Sequence, residues 1–320
     1  MLKNKIIIAT LLFLGQALSG QTTGLNMEIK SRKVLQDVPS ASGIIKVGKD
    51  YLVTGDNSPW LFELNGGFRV KDRFLIFPAG KKFDIIPKEM KPDFEALAYD
   101  RKDRFVYVFG SGSRSPQRDV VVRFTMDGKE PVADVFSVRE LYQKIRNKLD
   151  LKPGELNIEG AVITGDMLFL LDRENNYVLA YKWNEVRKYF GDFRLCPLPE
   201  VYKLRLPEIN GVEAGFSGAT AAFDGNKILF TASVEKTDDT YHDGEILGSF
   251  VGIFNIMGLK DGKEPVCVCV KQDGKLLKIK IESVCLQKEA KGNSAEVVLV
   301  TDSDGGVSEV LKAELNLLFK

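Results

Sequence analysis

The feature that most constrains this chain is a repeat with a period near sixty residues. Five segments share a small or acidic residue followed by a short apolar strand. They begin at Ser42-Gly43, Glu95-Ala96, Glu159-Gly160, Ser217-Gly218 and Glu282-Ser283, with successive anchors 53 to 65 residues apart. A turn rich in Gly, Asp, Asn or Lys follows each anchor strand, and then a second apolar strand, as at Tyr51–Thr54, Phe105–Phe109 and Met167–Leu171. A polar loop and a third strand come next (Trp60–Glu63, Val120–Phe124, Tyr177–Tyr181, Ser249–Asn255, Val307–Glu314), and several units close with a more variable fourth. Self-similarity at this period marks a repeat architecture. Four short antiparallel strands per unit, repeated radially, predict an all-β β-propeller.

Five blades of four antiparallel strands are expected. Six stay open, because residues 248–281 hold enough strand-like sequence for a further hairpin. The last unit runs out of chain after three strands, so Met27–Leu35 is expected to supply its missing outer strand and close the ring. Closure of this kind removes an exposed sheet edge. One helix interrupts the pattern over residues 137–149, with apolar residues at 138, 141, 142, 145 and 149 and a capping box from Ser137 to Glu140.

Ahead of the repeat, Lys3 and Lys5 precede the apolar run Ile6–Leu14, and Ala17, Ser19 and Gly20 follow it. A basic start, a short apolar stretch and small residues at the exit read as a secretory signal peptide over residues 1–20. The run is about half of the ~20 residues that a membrane span needs, and no later stretch is long enough. The remainder, residues 21–320, reads as one propeller domain, exported to the periplasm or secreted, with a monomer expected. In an oxidising compartment the four Cys deserve a pairing test. Cys267 and Cys269 alternate on one strand, poorly placed to bond each other. They read as buried thiols, as do Cys196 and Cys285.

Composition narrows the chemistry. Lys and Arg number 45 against 44 Asp and Glu, so no basic excess points to a nucleic-acid partner. A single His argues against His-rich zinc sites and against Ser-His-Asp machinery. No nucleophile–base pair and no organic cofactor motif stands out.

In such a ring the links into each first strand and the loops from second to third strands share one face, here called the upper face. These connections are the long ones, among them 79–93, 111–118, 137–157, 207–215 and 234–247. Binding residues usually sit on long loops of a rigid scaffold. Glu95, Glu159 and Glu282 open inner strands and should meet at the upper mouth of the channel, with Asp56 and Asp172 closing second strands beside them. Three carboxylates around a narrow axis need protons, water, a cation or a base between them. Ca²⁺ would suit Glu95, Glu159 and Glu282; hydrogen bonds across a blade seam, or direct ligand contact, serve equally. Asp302–Gly306 lacks the acidic twelfth position of a calcium loop and reads as a blade connection. Arg114 and Arg118, on a Ser- and Gly-containing loop, suit a phosphate, sulfate or carboxylate. Arg173 is a further ligand-binding candidate, and His242, among five carboxylates, is a candidate proton donor.

The segments Asp93–Ala98, Asn157–Ala161, Gly110–Ser113 and Asp243–Ser249 resemble an uncharacterised family of exported bacterial β-propellers. More distantly they are similar to the "esterase-like activity of phytase" and SdiA-regulated propellers. The phytase-like resemblance implies a calcium-assisted phosphoesterase or esterase, with the three Glu as metal ligands and Arg114 or Arg118 holding phosphate. Ser42 and Ser217 depart from an all-Glu pattern. The residues themselves point to an exported propeller that binds a small or polymeric, anionic or polar ligand at one channel mouth, with or without a bridging cation.

Overall fold

The computed structural model describes residues 22–78, 82–127, 130–236, 244–289, 293–302 and 307–319. Each repeat unit folds as one four-stranded antiparallel sheet. Blade 1 comprises Ala41–Val47, Asp50–Gly55, Trp60–Leu64 and Val70–Leu75. Blade 2 comprises Phe94–Asp100, Phe105–Gly110, Val120–Thr125 and Val132–Ser137. Blade 3 comprises Ile158–Thr164, Met167–Asp172, Tyr177–Lys182 and Glu200–Lys203. Blade 4 comprises Gly215–Ala222, Lys227–Lys236, Glu245–Asn255 and Val266–Cys269. Blade 5 comprises Lys280–Glu289, Ser294–Asp302 and Glu309–Phe319, and its outer strand is Thr22–Val34 from the other end of the chain. That strand pairs antiparallel with Glu309–Phe319 from Thr22↔Phe319 to Val34↔Glu309. The ring is closed as the sequence predicts, and the innermost strands contact one another in circular order.

The six-blade alternative is excluded. Residues 256–279 are spent on a short 3-10 turn, the fourth strand of blade 4 and the two-residue hairpin Lys271–Gln272/Lys275–Leu276, and Lys280 already opens blade 5.

The second strands read as unbroken apolar runs because both faces of a blade are buried. In Met167–Asp172, Leu168 and Leu170 pack toward blade 2, whereas Phe169 and Leu171 pack toward blade 4. Five apolar clusters result, one at each blade-to-blade contact. Alternation across a strand thus supplies two cores rather than one core and one wet face.

Helix α1 covers Arg139–Leu149. It has no side-chain cap, so the expected Ser137–Glu140 capping box does not form; the Glu140 carboxylate instead accepts from Tyr189 Oη at 3.3 Å. A second helix, α2 (Trp183–Gly191), follows the third strand of blade 3 and was not foreseen. Its Trp183, Val186, Tyr189 and Phe190 share one face and fill the cluster between blades 2 and 3, a helical spacing legible in the sequence. Among the described residues no helix is long and apolar enough to cross a membrane. All four Cys are unpaired, and burial pushes the Cys267 thiol up to about 12.

Candidate functional site

The repeat anchors have a common structural cause. In every blade the pairing of first and second strands slips by one residue where the anchor stands: between Ala41 and Gly43, Phe94 and Ala96, Ile158 and Gly160, Phe216 and Gly218, and Ile281 and Ser283. Ser42, Glu95, Glu159, Ser217 and Glu282 are therefore the extra residues of five β-bulges. A bulge leaves its residue unpaired and re-aims the side chain.

The small residue that follows each anchor is explained by crowding. A methyl group at Gly218 would lie 2.5 Å from Ser283 Cα and 2.6 Å from Glu282 O, on the next blade. One at Gly160 would lie 3.2 Å from Ala219 Cβ, and one at Gly43 would lie 3.1 Å from Leu97 Cγ. The inner strands thus converge at bulge height and pinch the channel there. Ser42 Oγ stays within its own blade, donating to Ser40 O at 3.0 Å, whereas the Ser217 hydroxyl is spent on this seam. Ser217 Oγ donates to Ile281 O at 2.6 Å and Ser233 Oγ to the same carbonyl at 2.9 Å, while Ser249 Oγ accepts from Ile281 N at 3.1 Å.

Above the pinch, charged groups from all five blades and their links meet. Lys91 Nζ bonds both Asp56 and Asp93, the latter at 2.6 Å. Asp93 also accepts from Arg118 and, at 2.5 Å, from Ser111 Oγ. Arg173 bonds Glu235 at 3.0 Å, Lys280 bonds Glu282 at 2.9 Å, and Asn157 Nδ2 donates to Glu159 at 2.9 Å. Helix α1 holds the Arg118 loop in place. Buried Arg146 bonds Asp119 at 2.7 Å and Gly112 O at 2.6 Å, and Tyr142 Oη donates to Gly110 O at 2.8 Å.

Protonation follows from this packing. Burial raises the Glu95 carboxyl well above its ordinary range; the nearby Glu159, Asp93 and Asp56 add to the effect, and Lys91 opposes it. Burial pushes Glu159 up to about 8, against the pull of Arg173. Attraction to Lys91 and Arg118 outweighs burial at Asp93 and holds it below the usual carboxylate range. Burial raises Asp172 to about 7. At neutral pH the mouth therefore contains two hydrogen-bonding neutral carboxyls among paired charges.

The sequence candidates separate into groups. Asp56 and Glu95 come together with Asp93, their ligand atoms within 4.8 Å of one another. Among the described residues Glu95, Glu159 and Glu282 do not form such a group, although they surround the same mouth. Arg118 and Arg173 are in the network, whereas Arg114 is exposed at its loop tip. Asp172 is fully buried and is occupied by Asn157 N at 2.8 Å and Asn175 N at 3.1 Å, so it clamps a turn. His242 lies outside the described residues. Lys91, Asp93, Glu235 and Lys280 were missed. For Asp93 and Lys280 a signal was present: each stands two residues before an acidic anchor.

Two polar atoms in this mouth are shielded from solvent without a hydrogen-bond partner in the protein: Arg173 Nη1, a donor, and Asp56 Oδ1, an acceptor. Buried polar groups are nearly always paired.

Fold and mouth together define a five-bladed β-propeller with a pinched, charged channel entrance. The chain belongs to the family of unknown function DUF6929, whose model matches residues 37–315. Among curated proteins none matches the sequence. Among solved structures, Myxococcus xanthus glutaminyl cyclase is similar with a TM-score of 0.53 at 8% identity, over 93% of this chain and 100% of that one. The PQQ-bound aldose sugar dehydrogenase from Streptomyces coelicolor gives 0.43 at 13% identity, over 93% and 100%. The WD40 propeller domain of Doa1 gives 0.36 at 9% identity, over 90% and 97%. Such identities show the fold alone, and they lend no support to the likeness to phytase-like or SdiA-regulated propellers.

Proposed function

We propose that this protein is an exported binding propeller. Its upper mouth receives a small polar ligand, or one unit of a polar polymer, bearing hydroxyl or carboxylate groups. The observation that carries this reading is the unused pair at the mouth, Arg173 Nη1 and Asp56 Oδ1. A ligand hydroxyl or carboxylate can accept from the guanidinium, and a ligand hydroxyl can donate to the carboxylate. The raised carboxyls of Glu95 and Glu159 add neutral donors. No nucleophile–base pair is needed for this role.

A second reading rests on the Asp56–Asp93–Glu95 group, where carboxylate oxygens lie close enough to share a hard cation. A Ca²⁺ held there would polarise a phosphoester or ester and activate water, in the manner that the phytase-like resemblance implies. Lys91 already bonds two of the three carboxylates, so the cation would have to displace an ammonium, which favours the first reading.

The test is a thermal-shift and calorimetric panel of oligosaccharides, hydroxy acids, inorganic phosphate and CaCl₂ on wild type, Arg173→Met and Glu159→Gln. Saturable binding of an organic member, weakened about tenfold or more by Arg173→Met, supports the proposal. Binding indifferent to both substitutions overturns it. Calcium-dependent turnover of p-nitrophenyl phosphate, abolished by EDTA, replaces it with the second reading.

A further inference from the structure

Below the pinch the channel holds a cavity of about 810 Å³. It ends below the bulges, is lined by all five inner strands and opens among the turns that follow them. That volume is in the range of pockets that enclose a drug-sized molecule, ~300–1,000 Å³. The wall is mixed, with Leu97, Ile163 and Leu286 on it among Tyr99, Thr164, Thr220 and Gln287. The rim is basic, with Lys46, Arg101, Lys102 and Lys288 around the opening.

The carboxylates of that rim are mostly committed elsewhere. Asp100 is buried and accepts from Trp183 Nε1 at 2.7 Å and from Lys102 N at 3.0 Å. Glu289 accepts from Phe223 N. Asp224 alone of the three is exposed. By contrast, Lys46 Nζ donates to a neutral carbonyl, Gln287 O, at 2.6 Å. Arg101, Lys102 and Lys288 are exposed. A cavity of mixed lining with a cationic lip encloses a compact organic body and pairs one negative charge at the opening.

We propose that this lower cavity is a second binding site, for a small organic anion: an aryl or alkyl carboxylate, sulfonate or phosphate ester. It is distinct from the upper mouth, whose charged groups lie beyond the constriction.

The probe is 8-anilinonaphthalene-1-sulfonate, an aromatic body with one fixed negative charge, followed by fluorescence and calorimetry on the intact protein. One saturable site per chain is expected. Lys46→Gln combined with Lys102→Gln should weaken it about tenfold or more, and Thr220→Trp, which fills the well, should abolish it. The uncharged N-phenyl-1-naphthylamine should bind at least about tenfold more weakly. Thermal melts check that Thr220→Trp folds; the two charge substitutions are at the rim and test the proposal without it. Exposed Phe193 and Leu195 could also attract the dye, so Phe193→Ser with Leu195→Ser serves as a control that should leave affinity unchanged. Absence of saturable binding, affinity indifferent to the lysine substitutions, or loss in the Phe193/Leu195 control would each overturn the assignment.

Discussion

Replacing Gly218 by alanine adds one methyl group at the most crowded of the three glycines that follow the anchors. Its carbon would stand 2.5 Å from Ser283 Cα, 2.6 Å from Glu282 O and 2.8 Å from Ser283 Oγ. Non-bonded carbons prefer ~3.5–4.0 Å, so the overlap with the neighbouring backbone is about 1 Å. The obstacle cannot swing away as a side chain would. The strand that carries it is fastened by Ser217 Oγ to Ile281 O at 2.6 Å and by Ile281 N to Ser249 Oγ at 3.1 Å. Overpacking of this kind costs about 1–3 kcal/mol, with backbone overlap at the upper end. Alanine recovers about 0.5–1 kcal/mol of the entropy that glycine loses on folding. A net destabilisation of about 2 kcal/mol follows, or roughly 3 °C in melting temperature for a domain of this size. Differential scanning calorimetry on a graded series tests the cause rather than the residue. Gly160→Ala, with contacts at 3.2 Å to two side-chain carbons, should cost less. Gly191→Ala, at the end of α2 with nothing within 4 Å, should be neutral or slightly stabilising. A Gly218→Ala protein that melts with or above wild type would refute the pinch.

Two further outcomes follow from the same geometry. Folded Glu159 holds its proton to about pH 8, whereas an unperturbed Glu releases it near 4.5; between those values the native state binds more protons, so its stability falls as pH rises. Urea titrations from pH 5 to 8 should show a slope shallower by about 1.4 kcal/mol per pH unit in Glu159→Gln, and parallel curves would refute the assignment. Removal of residues 22–36 strips Leu25 and Leu35 from the core and bares the edge of Glu309–Phe319. The cost is on the order of 5 kcal/mol or more, and association through the exposed edge follows. An unchanged melt with monomeric elution would sink the closure argument.

The repeat, the turns and the apolar second strands are local patterns, and strand alternation with turn chemistry is enough to read five blades from them. The ring closure was legible too, since a last unit short of one strand needs a donor. Helix α2 was legible in principle from Trp183, Val186 and Phe190, but it lies in the connection between the third strand of blade 3 and its fourth, where the strand pattern of the repeat makes no demand. The anchors could be recognised as special without the reason being visible, because a bulge is a property of two paired strands and not of one.

What the sequence determined alone is therefore the architecture and the height at which five anchors meet. Tertiary structure decided the rest. Lys91 finds Asp56, and Arg173 finds Glu235, only because the ring brings together residues 35 and 62 positions apart. The same closure sets which carboxyls keep their protons, since burial and neighbouring charge are through-space quantities. It also places the open cavity on the face opposite the long loops. Loop length says where a binding residue has room to stand, whereas the pinch, set by backbone contact between blades, decides which half of the channel stays open.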